Sequence, residues 1–254
     1  MSELKAILFD VDGTLAETER YGHLVATNQG FKTCGLDWQW SEELYGKLLK
    51  VTGSFERITH FVNTYHPDWK HVSNNLNELI TEIVRQKNIN FKRIVENGQI
   101  PLRPGVERLL REIHDSDLRM AIVTTTSPQN VEALLVNNIG GDVLDWFDVI
   151  AAGDIVPKKK PAPDIYNLTL NEMNLSPQEC LAIEDSENGV KSATTAGVPV
   201  MVTLSEYSEG HDLDDAILIV DGLGDETHTP SVIKGSLNGN RFINVDLMRR
   251  LVLK

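Results

Sequence analysis

Apolar and polar positions divide the 254-residue chain into two textures. Short segments without polar alternation recur at Ala6 to Phe9, Met120 to Val123, Asp148 to Ala152, Cys180 to Ile183, Pro199 to Thr203 and Ala216 to Val220. Apolar runs of this length predict strands covered on both faces. Between them, Pro104 to about His114, Ser127 to about Asn138, Pro163 to Met173 and Ser186 to Ala196 read as helices, Ser127-Pro128 supplying an N-cap and a first helical residue. Pro104 is placed in the first turn of its helix. Strand-helix alternation predicts an α/β, Rossmann-like parallel sheet with helices on both faces.

The second texture starts straight after Leu15. Glu17 to Cys34, Ser41 to Val51, Phe55 to Tyr65 and Ser73 to Glu96 carry apolar residues at three and four spacing. This predicts a helical cap domain over 17–99, inserted after the first strand of a core made of 1–16 and 100–254. An insert at that point should cover the carboxyl edge of the sheet as a lid, hinged at Leu15 to Glu17 and Gln99 to Pro104. Past Gly222, Asn238-Gly239 predicts a hairpin between SVIKG and RFINV, and Asp246 to Val252 a last helix.

Composition narrows the function. A net charge of −13, from 24 basic and 37 acidic residues, argues against nucleic acid or an anionic membrane as partner. Cys34 and Cys180 have neither disulfide-framework nor zinc spacing. No signal-peptide order opens the chain and no apolar run approaches membrane-spanning length, so a soluble, cytoplasmic protein is expected, with monomer as the default state.

The candidate chemistry gathers at strand ends. Asp10 and Asp12 follow the first strand, with Gly13 giving the backbone freedom to turn them together. Thr124 ends the second, Lys160 follows the third, and Glu184-Asp185 ends the fourth. Asp10, Glu184 and Asp185 would bring like charges together, a repulsion that a hard cation such as Mg²⁺ removes. A metal, a lysine, a hydroxyl and the helix N-terminus at Ser127 suit a phosphoryl group, with Thr124, the main-chain NH of Thr125 and Lys160 as its holders. Asp10 then reads as the nucleophile and Asp12 as general acid and base. Asp164 is expected to orient Lys160.

DVDGT, the strand ending in Thr124 of IVTTTSP, Lys160 in KKPAPD and the pair in LAIEDSENG stand in the order of the four motifs of the haloacid dehalogenase superfamily, which this chain resembles from Lys5 to about Thr203. The resemblance implies Asp10 as nucleophile and metal ligand, Asp12 as acid/base and metal ligand through its carbonyl, and Asp185 as a further ligand. Glu184 is implied beside it, as ligand or partner. The insert is similar to the cap of the phosphoglucomutase and phosphoglycolate phosphatase branch. DVDGTLAETE, the tryptophans of DWQW, the Leu-Leu-Lys run before Thr52-Gly53, Arg57 in FERI, LRPGV and SEYSEGHDLDDA most resemble CbbY-type phosphatases. That family implies removal of the 1-phosphate from xylulose 1,5-bisphosphate, an inhibitor of Rubisco. Gly53, Ser54 and Phe55 replace its usual Gly-Gly-basic run, and His23 lies one residue further from Glu17.

A small phosphorylated sugar is therefore the expected substrate, with Glu17, His23, Lys50, Thr52, Gly53 and Arg57 as candidate contacts. Trp38 and Trp40 are expected to pack inside the cap, and Arg103 to be structural at the linker. Two other enzymes stay open: a β-phosphoglucomutase-like mutase, which would need arginine near Thr52-Gly53, and a phosphoglycolate phosphatase. A non-enzymatic phospho-switch would need neither Asp12 nor the insert.

Overall fold

The computed structural model describes residues 3–51, 53–68 and 75–253. Thr52 and the predicted start of the fourth insert helix, at Ser73, lie outside the described residues. Among those described, seven strands form one sheet: β1 (Ala6–Phe9), β2 (Arg119–Thr124), β3 (Val149–Ala152), β4 (Cys180–Glu184), β5 (Val200–Thr203), β6 (Leu218–Val220) and β7 (Val232–Lys234). Their spatial order is β3-β2-β1-β4-β5-β6-β7. Every pairing is parallel except β6 with β7. After β3 the chain crosses to the other side of β1, so the strand order reverses beside β1, where open parallel sheets bind ligands.

Register places the chemistry. Phe9 is level with Ile122 on one side and Ile183 on the other. One residue further along, Asp10, Val123 and Glu184 share a level across three strands, and the Asp10 N–H donates to Ile183 O at 3.1 Å. All four β1 side chains are fully buried, each large one contributing about 1.5–3 kcal/mol by leaving water. The residues that end β1 are thus fixed by core packing on both faces.

Two compact units emerge: Met1–Glu17 with Pro101–Lys254, and Thr18–Ile100. The second is helical. It opens with a wide π-helical turn at Glu19–Leu24, followed by α1 (Val25–Thr33), α2 (Glu42–Leu48), α3 (Ser54–Tyr65) and α4 (Leu76–Glu96). The continuous helix predicted from Glu17 is therefore broken into two geometries. Its centre is aromatic: Phe31 meets Trp38 at 5.6 Å, Trp40 at 5.1 Å and Phe61 at 6.1 Å between ring centroids. Asn28 fixes the loop carrying the tryptophans, its side chain accepting from Trp40 N (2.8 Å) and donating to Trp40 O (2.9 Å).

In the sheet unit, α7 (Asp164–Met173) and α8 (Glu187–Thr195) cover one face, sharing a core with Leu8, Val123, Ala182 and Val202. The helices α5 (Val106–His114) and α9 (Val245–Val252) meet β2 and β4 on the other. Between β2 and β3, α6 (Pro128–Asn138) begins as predicted, the Ser127 hydroxyl accepting from Asn130 N. Two expectations are corrected. Pro104 stands before Gly105, the N-cap of α5, and not in its first turn. Asn238 and Gly239 do turn with positive φ, yet no hairpin forms around them. Val232–Lys234 finds the open edge of β6 instead, and the chain after the turn enters α9, capped by Asn244. No helix among the described residues is long and apolar enough to cross a membrane.

Phe31→Ala empties the centre of the aromatic cluster and is expected to cost about 3–5 kcal/mol, measured by denaturant unfolding followed through near-ultraviolet tryptophan dichroism. A loss below about 1 kcal/mol would show that the cluster repacks around the gap.

Candidate active site

Asp10, Val123 and Glu184 share their level because of strand register, and Lys160 bridges all three. Its Nζ donates to Asp10 Oδ1 at 2.8 Å, to Val123 O at 2.8 Å and to Glu184 Oε1 at 2.6 Å. An ammonium has three protons, and each has an acceptor. The expected orienting role of Asp164 is therefore corrected: Asp164 starts α7 and leaves Lys160 to those three groups. Burial works against the lysine charge, but Asp10 and Glu184 together raise its pKa above the ordinary lysine range. Lys160 is a fixed cation at neutral pH.

Glu184 is wholly buried. Its Oε1 also accepts from the Tyr166 hydroxyl at 2.6 Å. Its Oε2 is buried without a hydrogen-bond partner and lies against Gly189, where a Cβ would fall 1.8 Å away. Burial, with Asp10 adding and Lys160 opposing, pushes the Glu184 carboxyl up to about 7. Asp185 follows at the strand end, and burial together with the Asp10 charge pushes its carboxyl well above the usual range. Ser208 Oγ donates to the Asp185 carbonyl at 2.7 Å and closes the loop around it.

One carboxylate oxygen from each of Asp10, Glu184 and Asp185 lies within 4.8 Å of the others. Three buried carboxylates gathered this closely present the hard oxygen donors a divalent cation takes, so the residues fit Mg²⁺. Gly13 makes the room: at φ +83, any Cβ there would sit 2.1 Å from Asp185 Oδ2. Asp12 is half-buried and its backbone bridges to Ala16. Thr124 is fully buried and its Oγ1 accepts from Thr126 N at 3.2 Å, while Thr125 is exposed at the same edge.

The remaining candidate contacts divide between the two units. Glu17 belongs to the sheet unit, where its carboxylate pairs with Arg103 Nε at 2.9 Å. Arg103 does more than a linker residue was expected to do, donating also to Gly13 O, to Thr203 O and Oγ1 (3.2 Å each) and to Leu204 O. Within the helical unit, His23 stacks on Phe91 at 3.9 Å and its Nδ1 is buried without a hydrogen-bond partner. The Arg57 guanidinium lies over the Tyr45 ring at 5.6 Å and donates from Nε to Val51 O at 3.2 Å, while the Tyr45 hydroxyl donates to Glu19. Lys50 and Gly53 are exposed on either side of Thr52, which is outside the described residues.

The family model for haloacid dehalogenase-like hydrolases matches residues 4–197. This chain belongs to that family. It is 44% identical over 218 residues to protein CbbY of Rhodobacter capsulatus, covering 84% of this chain and 91% of that one. Two solved structures of CbbY from Rhodobacter sphaeroides are similar to this chain, both at TM-score 0.71. One is in complex with phosphate, at 40% identity and covering 86% of this chain and 94% of that one. The other is the D10N mutant in complex with xylulose-(1,5)-bisphosphate, at 39% identity and covering 88% and 98%.

As a haloacid dehalogenase-like hydrolase, the chain carries residues around its site that sequence reasoning missed. Tyr166 sits at an apolar-face position of α7 and reads as core until its hydroxyl is seen on Glu184. Ser208 lies in the polar loop after β5, within SEYSEGHDLDDA, and its bond to the Asp185 carbonyl has no signal in residue spacing. Apart from these, within the helical unit itself, Lys87 and Asn90, both 8% exposed on α4, are buried polar residues that helical spacing alone assigns to a core face.

Burial, followed by the charges of Lys87 and Arg57, holds the His23 imidazole well below its ordinary range. Below about pH 6.5 the unfolded chain then binds more protons at this position than the folded one, so neutral His23 supports folding above that pH and the support is lost as pH falls. Unfolding midpoints should drop more steeply toward pH 5.5 in the wild type than in His23→Phe, which keeps the stack on Phe91. Parallel curves would remove His23 as the cause.

Proposed function

We propose that this hydrolase is a Mg²⁺-dependent phosphatase of small phosphorylated sugars, acting through Asp10, with xylulose 1,5-bisphosphate as its substrate. The observation that carries the reading is the Lys160 ammonium lodged between Asp10 and Glu184 at the carboxyl edge of the sheet. Lys160 anchors Asp10 Oδ1, which restricts rotation of the carboxylate and aims it at an incoming phosphorus. Attack forms an aspartyl phosphate as the sugar oxygen leaves with a proton from Asp12. Asp12, now a carboxylate, takes a proton from the water that hydrolyses the acyl phosphate and returns Asp10. Lys160, the Thr124 hydroxyl and the main-chain NH of Thr125 bind the phosphoryl oxygens. Asp10, Asp185 and the Asp12 carbonyl would hold the divalent cation, which when bound offsets the phosphoryl charge. Glu184 is assigned to Lys160 rather than to the metal, since its bonded oxygen is already shared by Lys160 and Tyr166.

Substrate choice is assigned to the helical unit, residues 18–100, acting as a cap. There Arg57 is a cation held on Tyr45 rather than in a carboxylate pair, which suits it to a second phosphate. The xylulose bisphosphate in CbbY of Rhodobacter sphaeroides supports the bisphosphate over a monophosphate.

Phosphate release is the test, over a panel of xylulose 1,5-bisphosphate, ribulose 1,5-bisphosphate, phosphoglycolate and β-glucose 1-phosphate. Selective, Mg²⁺-dependent release from xylulose 1,5-bisphosphate is expected, abolished in Asp10→Asn. Asp12→Asn should lower kcat by about 10²–10⁴, and Arg57→Ala should erase the preference for the bisphosphate. Equal rates on phosphoglycolate would discard the bisphosphate reading; conversion of β-glucose 1-phosphate to an isomer without phosphate release would favour a mutase.

A further inference from the structure

We propose that Tyr166 is a positioning residue of the phosphatase: its hydroxyl fixes the Glu184 carboxylate that in turn fixes Lys160. The proposal rests on the reading of Lys160 as a phosphoryl holder.

Three observations meet at this tyrosine. Tyr166 is fully buried among Ile165, Leu170, Met173, Val190 and Ala193, a surrounding that a phenylalanine would fill equally well. Its hydroxyl nonetheless lies 2.6 Å from Glu184 Oε1, the same oxygen that Lys160 reaches at 2.6 Å. The other carboxylate oxygen has no hydrogen-bond partner and rests against Gly189, so the two donors on Oε1 carry the orientation of the whole group.

The geometry explains why two donors are needed. Lys160 alone is a flexible four-carbon stem ending in a charge, and a carboxylate bound only to it could turn about its last torsion and take the ammonium along. Tyr166 has two side-chain torsions and a ring locked by the core, so its hydroxyl is a fixed point. It lies on α7, a short stretch of chain after Lys160, with the ammonium 5.4 Å from its ring centroid. Tyr166, Glu184, Lys160 and Asp10 therefore form a line that runs from the packed helix to the attacking carboxylate. Removing the hydroxyl leaves packing intact and loosens every later member of the line.

The test compares the wild type with Tyr166→Phe, Lys160→Met and the double variant, measuring calorimetric affinity for inorganic phosphate in Mg²⁺ together with kcat and KM. Tyr166→Phe is expected to weaken phosphate binding and lower kcat by about tenfold, as other outer-sphere supports do, while still unfolding in one cooperative transition. In the Lys160→Met background the same change should have no further effect on phosphate affinity, because the residue through which Tyr166 acts is gone. Glu184→Gln supplies the same cycle if Tyr166→Phe does not fold. Wild-type phosphate affinity and kcat in Tyr166→Phe, or a full additive loss in the double variant, would overturn the proposal while leaving the phosphatase reading intact. Unchanged phosphate affinity in Lys160→Met would overturn the reading of Lys160 itself, and the proposal with it.

Discussion

The three bonds of the Lys160 ammonium are the constraint on which the rest of the site depends. They are available because β2, β1 and β4 are parallel neighbours in a register that brings Val123, Asp10 and Glu184 to one level. A cation buried at that level would be costly without partners, and two buried carboxylates there would be costly without a cation. Each makes the other tolerable, and the apolar strands beneath allow neither to move away. The catalytic geometry is in this sense a product of ordinary strand packing, carried one residue past the point where the apolar run stops.

A second cation performs the corresponding task for the loops. Arg103 binds the carbonyl of Gly13, the end of β5 and the carboxylate of Glu17, so the turn that follows Asp12 and the strand that leads to Ser208 are tied to one guanidinium. Its planar fork suits several carbonyl acceptors at once, which a lysine could not serve. Asp185 is then enclosed from two sides, by Gly13 and by the Ser208 hydroxyl on its carbonyl. Both cations stabilise backbone positions, and the candidate metal ligands inherit that order.

What could be read from the sequence was local. Strands buried on both faces announce themselves by unbroken apolar runs, so the ends at Asp10, Thr124 and Asp185 were placed from residue type alone, as was the Ser127-Pro128 helix start. Pairings between distant residues were not legible. The pairing of Glu17 with Arg103 spans the whole insert in sequence, and the Tyr166 hydroxyl bond to Glu184 leaves no trace in helical spacing, which reports burial and not hydrogen bonding. The Asn238-Gly239 turn was found, but which strand would pair was decided by the open edge of β6. The π-helical turn at Glu19–Leu24 has no distinct periodic signature and reads as ordinary helix.

The central claim is that Asp10, held by Lys160, forms the covalent bond to phosphorus. The most direct measurement is reductive trapping: the enzyme is quenched during turnover of xylulose 1,5-bisphosphate, treated with borohydride and digested, and the peptides are read by mass spectrometry. An aspartyl phosphate at Asp10 is reduced to homoserine, so the account predicts homoserine at position 10 and nowhere else. Homoserine at Asp12 or Asp185, or unmodified Asp10 in an enzyme quenched while turning over, would contradict it.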